Sequence, residues 1–147
     1  MSLLGRLLNR FRDDHPEPLP APDAKLALGA LMVRVALSDK VYTVSEISLI
    51  DRILAQHFGL NPVEAARMRA TCERLQAKAG TADFAQLIRN ELSRDERMEA
   101  LIDLWMVVMA DGTSDAAEIA LVEELRSELG LSEADSAEAR ASAAARL

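Results

Sequence analysis

The sequence predicts an all-α fold: a compact bundle of about seven helices built from two similar halves, with a short amphipathic helix ahead of it. Three observations carry this. The first is an internal repeat. Ser38-Asp39-Lys40-Val41-Tyr42-Thr43-Val44-Ser45-Glu46-Ile47 matches Ala110-Asp111-Gly112-Thr113-Ser114-Asp115-Ala116-Ala117-Glu118-Ile119 position for position, 72 residues later. Each copy follows an apolar run and opens a segment ending in Phe-Gly-Leu (58–60) or Leu-Gly-Leu (129–131). The second is the palette: half of the 147 residues are apolar but only 3% aromatic, so the core must come from Leu, Ile, Val, Met and Ala, which favour helix. The third is that no segment alternates like a strand, while helix starts are repeatedly marked by capping residues.

Residues 1–12 are basic and amphipathic. At ~100° per residue, Leu3, Leu4, Leu7, Leu8 and Phe11 share one face, with Arg10 and Arg12 at its borders. Such a segment suits docking to a membrane surface or a partner, or folding back on its own domain. Residues 13–22 are a Pro-rich linker that cannot be helical. These 22 residues form one unit, and 23–147 the helical domain.

Within that domain helices are expected at roughly 24–38, 44–58, 62–79, 82–92, 94–110, 116–129 and 133–145. Asp23 caps the first. Thr43 with Glu46, Asn61 with Glu64, Ser93 with Glu96, and Asp115 with Glu118 each pair a cap with a glutamate three residues on, the spacing of a reciprocal capping box. Gly59, Gly80, Gly112 and Gly130 are placed to end helices in the left-handed conformation. The segments 24–38 and 94–110 are apolar on nearly every side and should be central. The last segment offers only alanines to a core, and is expected to be loosely held.

With the duplicated loops in view, the chain resembles the tellurite-resistance TerB-like family over roughly residues 24–140. The resemblance rests on Ala110-Asp111-Gly112, Asp115 and Glu118 in the second half, and on the degenerate copy Asp39-Lys40, Thr43 and Glu46 in the first. It implies a compact all-α fold of two similar halves, a link to tellurite and stress response, and metal-binding acidic loops. It also implies kinship with the N-terminal domain of membrane-linked co-chaperones.

The candidate metal ligands are Asp39, Glu46, Asp111, Asp115 and Glu118, because hard divalent cations take several carboxylate oxygens. The competing reading is structural: Asp115 and Glu118 stand where a cap and its reciprocal partner stand, and Asp111-Gly112 makes a helix end. Lys40 and Thr43 replace a glycine and a carboxylate in the first copy, and neither loop has an EF-hand frame.

Other classes find little support. A formal charge of −7 argues against nucleic acid. Cys72 lies among apolar helix positions, and Trp105 with Met98, Met106 and Met109 has the spacing of core. His57 is expected to be solvated or lightly packed. His15-Pro16-Glu17 sits in proline-rich sequence unlike the helical setting of a J domain, and there is no phosphate loop. The expectation is a non-enzymatic interaction domain with a protein partner and a divalent cation as candidate ligand. Its expected place is the cytoplasm, with peripheral contact at the inner membrane surface through residues 1–12 as the alternative.

Overall fold

The structure, a computed structural model, describes residues 19–147. The expected amphipathic helix, with Leu3, Leu4, Leu7, Leu8, Arg10, Phe11 and Arg12, lies outside the described residues. The remainder is all-α, with seven helices: α1 Ala24–Leu37, α2 Val44–Phe58, α3 Pro62–Lys78, α4 Thr81–Glu91, α5 Arg94–Met109, α6 Ala116–Glu128 and α7 Glu133–Arg146.

The caps explain where the helices begin. Asp23 accepts the Leu26 amide, and Thr43, Asn61 and Ser93 close reciprocal boxes with Glu46, Glu64 and Glu96. Ser132 and Asp135 close a further box at α7. Gly80 departs from expectation. Its φ is −75°, and instead of ending α3 in the left-handed region it is the cap position of α4, without a side chain to bond the first turn.

The two apolar helices are central, as their composition requires. From Leu26 through Val33 every residue of α1 is buried, and from Ala100 through Val108 every residue of α5. The halves pack alike. Helix α1 lies against α2 and α3, and α5 against α6 and α7; α2 reaches across to α5, and α6 to α1. Helix α4 has no counterpart and packs on α1 and α6. Gly29 permits a close approach of α1 to α3, since a Cβ there would sit 2.5 Å from Cys72 Sγ. Cys72 is buried, as expected, and burial pushes its thiol up to about 12.

Helix α7 is not loosely held. Ser136, Ala139 and Ala143 are buried against the bundle. Trp105 Nε1 donates to Ser136 Oγ at 3.1 Å, and that hydroxyl donates to Glu123 Oε1 at 2.7 Å. Arg140 stacks over the Trp105 ring at 4.8 Å, and Arg146 grips Glu99 with two bonds of 2.8 and 3.0 Å. The small alanines let α7 approach closely, and polar groups at both ends fix it. Trp105, 1% exposed, supplies the bulk that the alanines lack.

Candidate metal centre

Both acidic loops begin with the same backbone. In the first, the Ser38 amide donates to Val35 O, the Lys40 amide to Leu37 O and the Val41 amide to Asp39 Oδ1, at 3.1, 2.9 and 2.9 Å. In the second, the Ala110, Gly112 and Thr113 amides donate to Val107 O, Met109 O and Asp111 Oδ1, at 3.3, 3.1 and 3.0 Å. Every bond has its counterpart 72 residues away. The turn needs a left-handed residue, with φ +80° at Gly112 and +66° at Lys40. Lys40 is the only non-glycine with positive φ among the described residues, a strain of about 1 kcal/mol against glycine.

The loops then diverge. Thr43 Oγ1 accepts the Glu46 amide at 3.2 Å, and Glu46 Oε1 accepts both the Thr43 amide at 3.0 Å and the Thr43 hydroxyl at 2.8 Å. Asp115 Oδ1 accepts the Ala117 and Glu118 amides at 2.8 and 3.3 Å, but Glu118 returns no bond. The capping box expected of Asp115 and Glu118 is therefore only half formed. The threonine hydroxyl has a proton to give to Glu46. The Asp115 carboxylate has none to give. Glu118 is left without that anchor.

Glu118 and Glu46 are each 1% exposed, and Glu118 Oε1 and Glu46 Oε2 are buried with no hydrogen-bond partner. Asp39, Asp115 and Glu118 each bring one carboxylate oxygen within 4.8 Å of the others. Burial and then the neighbouring Glu46 carboxyl push the Glu118 carboxyl up to about 9, with Asp39 and Asp111 adding repulsion. Four of the five candidate ligands thus gather into one pocket of negative charge, with α1–α2 supplying Asp39 and Glu46 and α5–α6 supplying Asp115 and Glu118. Asp111 stands at the edge, exposed, its Oδ1 taken by the Thr113 amide and hydroxyl. A proton on Glu118 relieves part of this charge. A hard divalent cation, which prefers carboxylate oxygens, fits the same donor set.

Two arrangements had no signal in the sequence. Tyr42, in the first loop, is half-buried with its hydroxyl enclosed and unpartnered. Burial and then the Glu73 charge push it up to about 12. Beside it Arg69 bridges Asp51 and Glu73, at 2.6 Å each. His57, expected to be solvated or lightly packed, is exposed, yet has Nε2 2.9 Å from Asp103 Oδ2, and that hydrogen bond raises it above the usual histidine range. Asp103 is 6% exposed in the middle of α5, and its burial calls for such a partner.

Residues 25–141 match the family model of tellurite resistance protein TerB. The chain belongs to the TerB family. The matched span runs from the start of α1 into α7 and contains both acidic loops, so the candidate centre of this TerB domain lies wholly inside it. No curated protein and no solved structure matches the chain. Among the described residues of the TerB domain, no helix is long and apolar enough to cross a membrane.

Proposed function

We propose that this TerB-family domain is a non-enzymatic, cytoplasmic binding module whose paired acidic loops take a divalent cation, and that it serves tellurite and stress response through a protein partner. The observation that supports it most is Glu118: buried, lacking the capping bond its position offers, and turned toward the other carboxylates. A carboxylate needed only as a helix cap would have no reason to be there. Asp39, Asp115 and Glu118 would hold the ion, with Glu46 and Asp111 adding to the field. When bound, the ion would supply the positive charge that these groups lack and link two loops far apart in sequence. A negative pocket of this kind repels a tellurite oxyanion, so the contribution to tellurite response runs through the cation and the partner.

Calorimetric titration with calcium, magnesium, manganese and zinc tests the reading. One of these ions is expected to bind with one-to-one stoichiometry and to raise the melting temperature through linkage, by about 2.7 kcal/mol of stability at a hundredfold excess over Kd. Asp39→Asn together with Asp115→Asn should remove the heat of binding, while Asn at the cap position keeps the helix start. Four silent titrations would leave the loops with structure alone.

A further inference from the structure

The two acidic loops carry charge of essentially one sign. Residues 38–47 and 110–119 hold five carboxylates, Asp39, Glu46, Asp111, Asp115 and Glu118, against one cation, Lys40. Among the described residues none of the five is in an ion pair. Two arginines of the neighbouring helices are engaged elsewhere: Arg34 of α1 donates to Gln76 Oε1 at 3.3 Å, and Arg69 of α3 is held by Asp51 and Glu73. Glu46 Oε2 and Glu118 Oε1, on side chains that are 1% exposed, have no hydrogen-bond partner. The cluster is thus short of positive charge and of donors.

Apolar surface lies directly beside it. Val41 is 58% and Val44 78% exposed, two of the four large apolar residues so exposed among those described. The Val41 amide donates to Asp39 Oδ1 at 2.9 Å, which sets Val41 against the first carboxylate, and Val44 opens α2 just after the Thr43 cap. The second loop has Thr113 and Ala116 at the matching places, so the valines belong to the first loop alone. Open carboxylates next to open valines complement a surface that brings cationic and apolar side chains together. Nucleic acid and anionic lipid carry the wrong sign.

We infer that the loop pair around Asp39 and Asp115 docks a basic, apolar segment of the protein partner, in exchange for the divalent cation. The segment's lysines or arginines meet Asp39, Asp111 and Asp115, which reach solvent, and its apolar side chains cover Val41 and Val44. The buried Glu46 and Glu118 add to the field. The exchange rests on the cation reading proposed above: an ion that neutralises these carboxylates removes their attraction for a second positive group. The ion-free domain holds the segment and the ion-loaded domain releases it.

Chemical-shift mapping of the full chain with a Lys/Leu amphipathic peptide of about 14 residues, roughly 20 Å as a helix, tests this in chelator and then in calcium. A Glu/Leu peptide and potassium chloride at matched ionic strength are the control arms. The basic peptide should give saturable shifts centred on Asp39, Val41, Val44, Asp111 and Asp115. Saturating calcium should weaken it by at least ~tenfold, and matched potassium chloride by less. Val41→Ser with Val44→Ser should weaken the peptide by at least ~threefold and leave calcium affinity unchanged, whereas Asp39→Asn with Asp115→Asn should weaken both. An unchanged Trp105 emission spectrum shows that each variant is folded. No saturable binding at millimolar peptide, shifts centred elsewhere, equal binding of the acidic peptide, or unchanged affinity in the valine variant would overturn the docking, whatever calcium does. Calcium that binds with its own heat and leaves peptide affinity unchanged would overturn the exchange. A silent calcium titration beside saturable peptide binding would overturn the cation reading and the exchange together, and support the docking alone. Self-association of the peptide-free chain in sedimentation, abolished by Asp39→Asn with Asp115→Asn, would make a second copy the occupant and overturn the assignment to a partner.

Discussion

The loop between α1 and α2 is tied down by its own side chains, whereas the loop between α5 and α6 has the same backbone and leaves its glutamate unanchored. One atom type accounts for much of the difference. Thr43 has a hydroxyl proton that pins Glu46, and Asp115 has none to offer Glu118. The first loop also carries Tyr42, enclosed beside the Asp51–Arg69–Glu73 cluster, where the second has the exposed Ser114. A duplicated motif has thus been divided between two duties: one copy secures a helix start and lends a wall of charge, while the other turns a glutamate that lacks the capping bond toward that wall.

The packing of the halves is divided in the same way. In the first, the central helix is thin at Gly29 and the third helix brings Cys72 against it. In the second, the central helix carries Trp105 and the third helix is thin at Ala139 and Ala143. Each half fills its interior, with the bulk on opposite partners.

Breaking that distribution should give the largest effects. Trp105→Ala is expected to cost about 3–5 kcal/mol, measured by chemical denaturation, because α7 cannot refill the space and the Ser136 hydroxyl loses its donor. In the other half the opposite error applies. Gly29→Ala should cost about 1–3 kcal/mol by overpacking against Cys72, and Cys72→Ala in the same chain should recover much of it. If the double variant were as unstable as the sum of the singles, the close approach would not be the cause.

A smaller effect sharpens the comparison of the loops. Lys40→Gly should gain up to about 1 kcal/mol by relieving the left-handed strain, and Gly112→Ala should lose a similar amount at the equivalent turn. Lys40→Gly also removes a positive charge next to Asp39, so cation affinity should rise with stability. Equal melting temperatures for wild type and both variants would mean the turns are not under the strain their φ angles imply.

A further contrast is the pH dependence of the cation-free protein. The folded-state pKa of Glu118 lies near 9, above its ordinary value near 4.5. The folded form therefore holds a proton that the unfolded chain releases. The stability this contributes is present in full below about pH 4.5 and is lost as the pH rises toward about 9. Denaturation midpoints across that window should fall for the wild type and fall less for Glu118→Gln. Cation binding must displace the proton, so affinity should rise with pH over the same range.

Much of the fold was legible because its signals are local. Caps lie within three residues of what they cap, and an all-round apolar helix announces its own burial. Long-range pairs left no such trace. Asp103 and His57 are 46 residues apart, and neither has a neighbour that points to the other. Helix α7 looked weak because alanine buries little area, whereas the groups that hold it, Trp105, Glu99 and Glu123, lie on other helices. The acidic residues were legible as a list of candidates but not as an arrangement, which sets Asp111 apart from Asp39, Asp115 and Glu118. Position alone made Asp115–Glu118 a capping pair like Thr43–Glu46, and only the side-chain chemistry of the cap residue separates them.

The most direct test of that separation is thermal melting of Glu118→Gln beside the wild type, with and without calcium, at neutral pH. Gln keeps the shape of the protonated side chain that Glu118 holds at neutral pH without the cost of taking up a proton on folding, so the cation-free variant should be at least as stable as the wild type, and calcium should raise the melting temperature of the wild type alone. A variant that is destabilised without calcium, and that gains as much from calcium as the wild type does, would show Glu118 to be a helix-capping residue and nothing more.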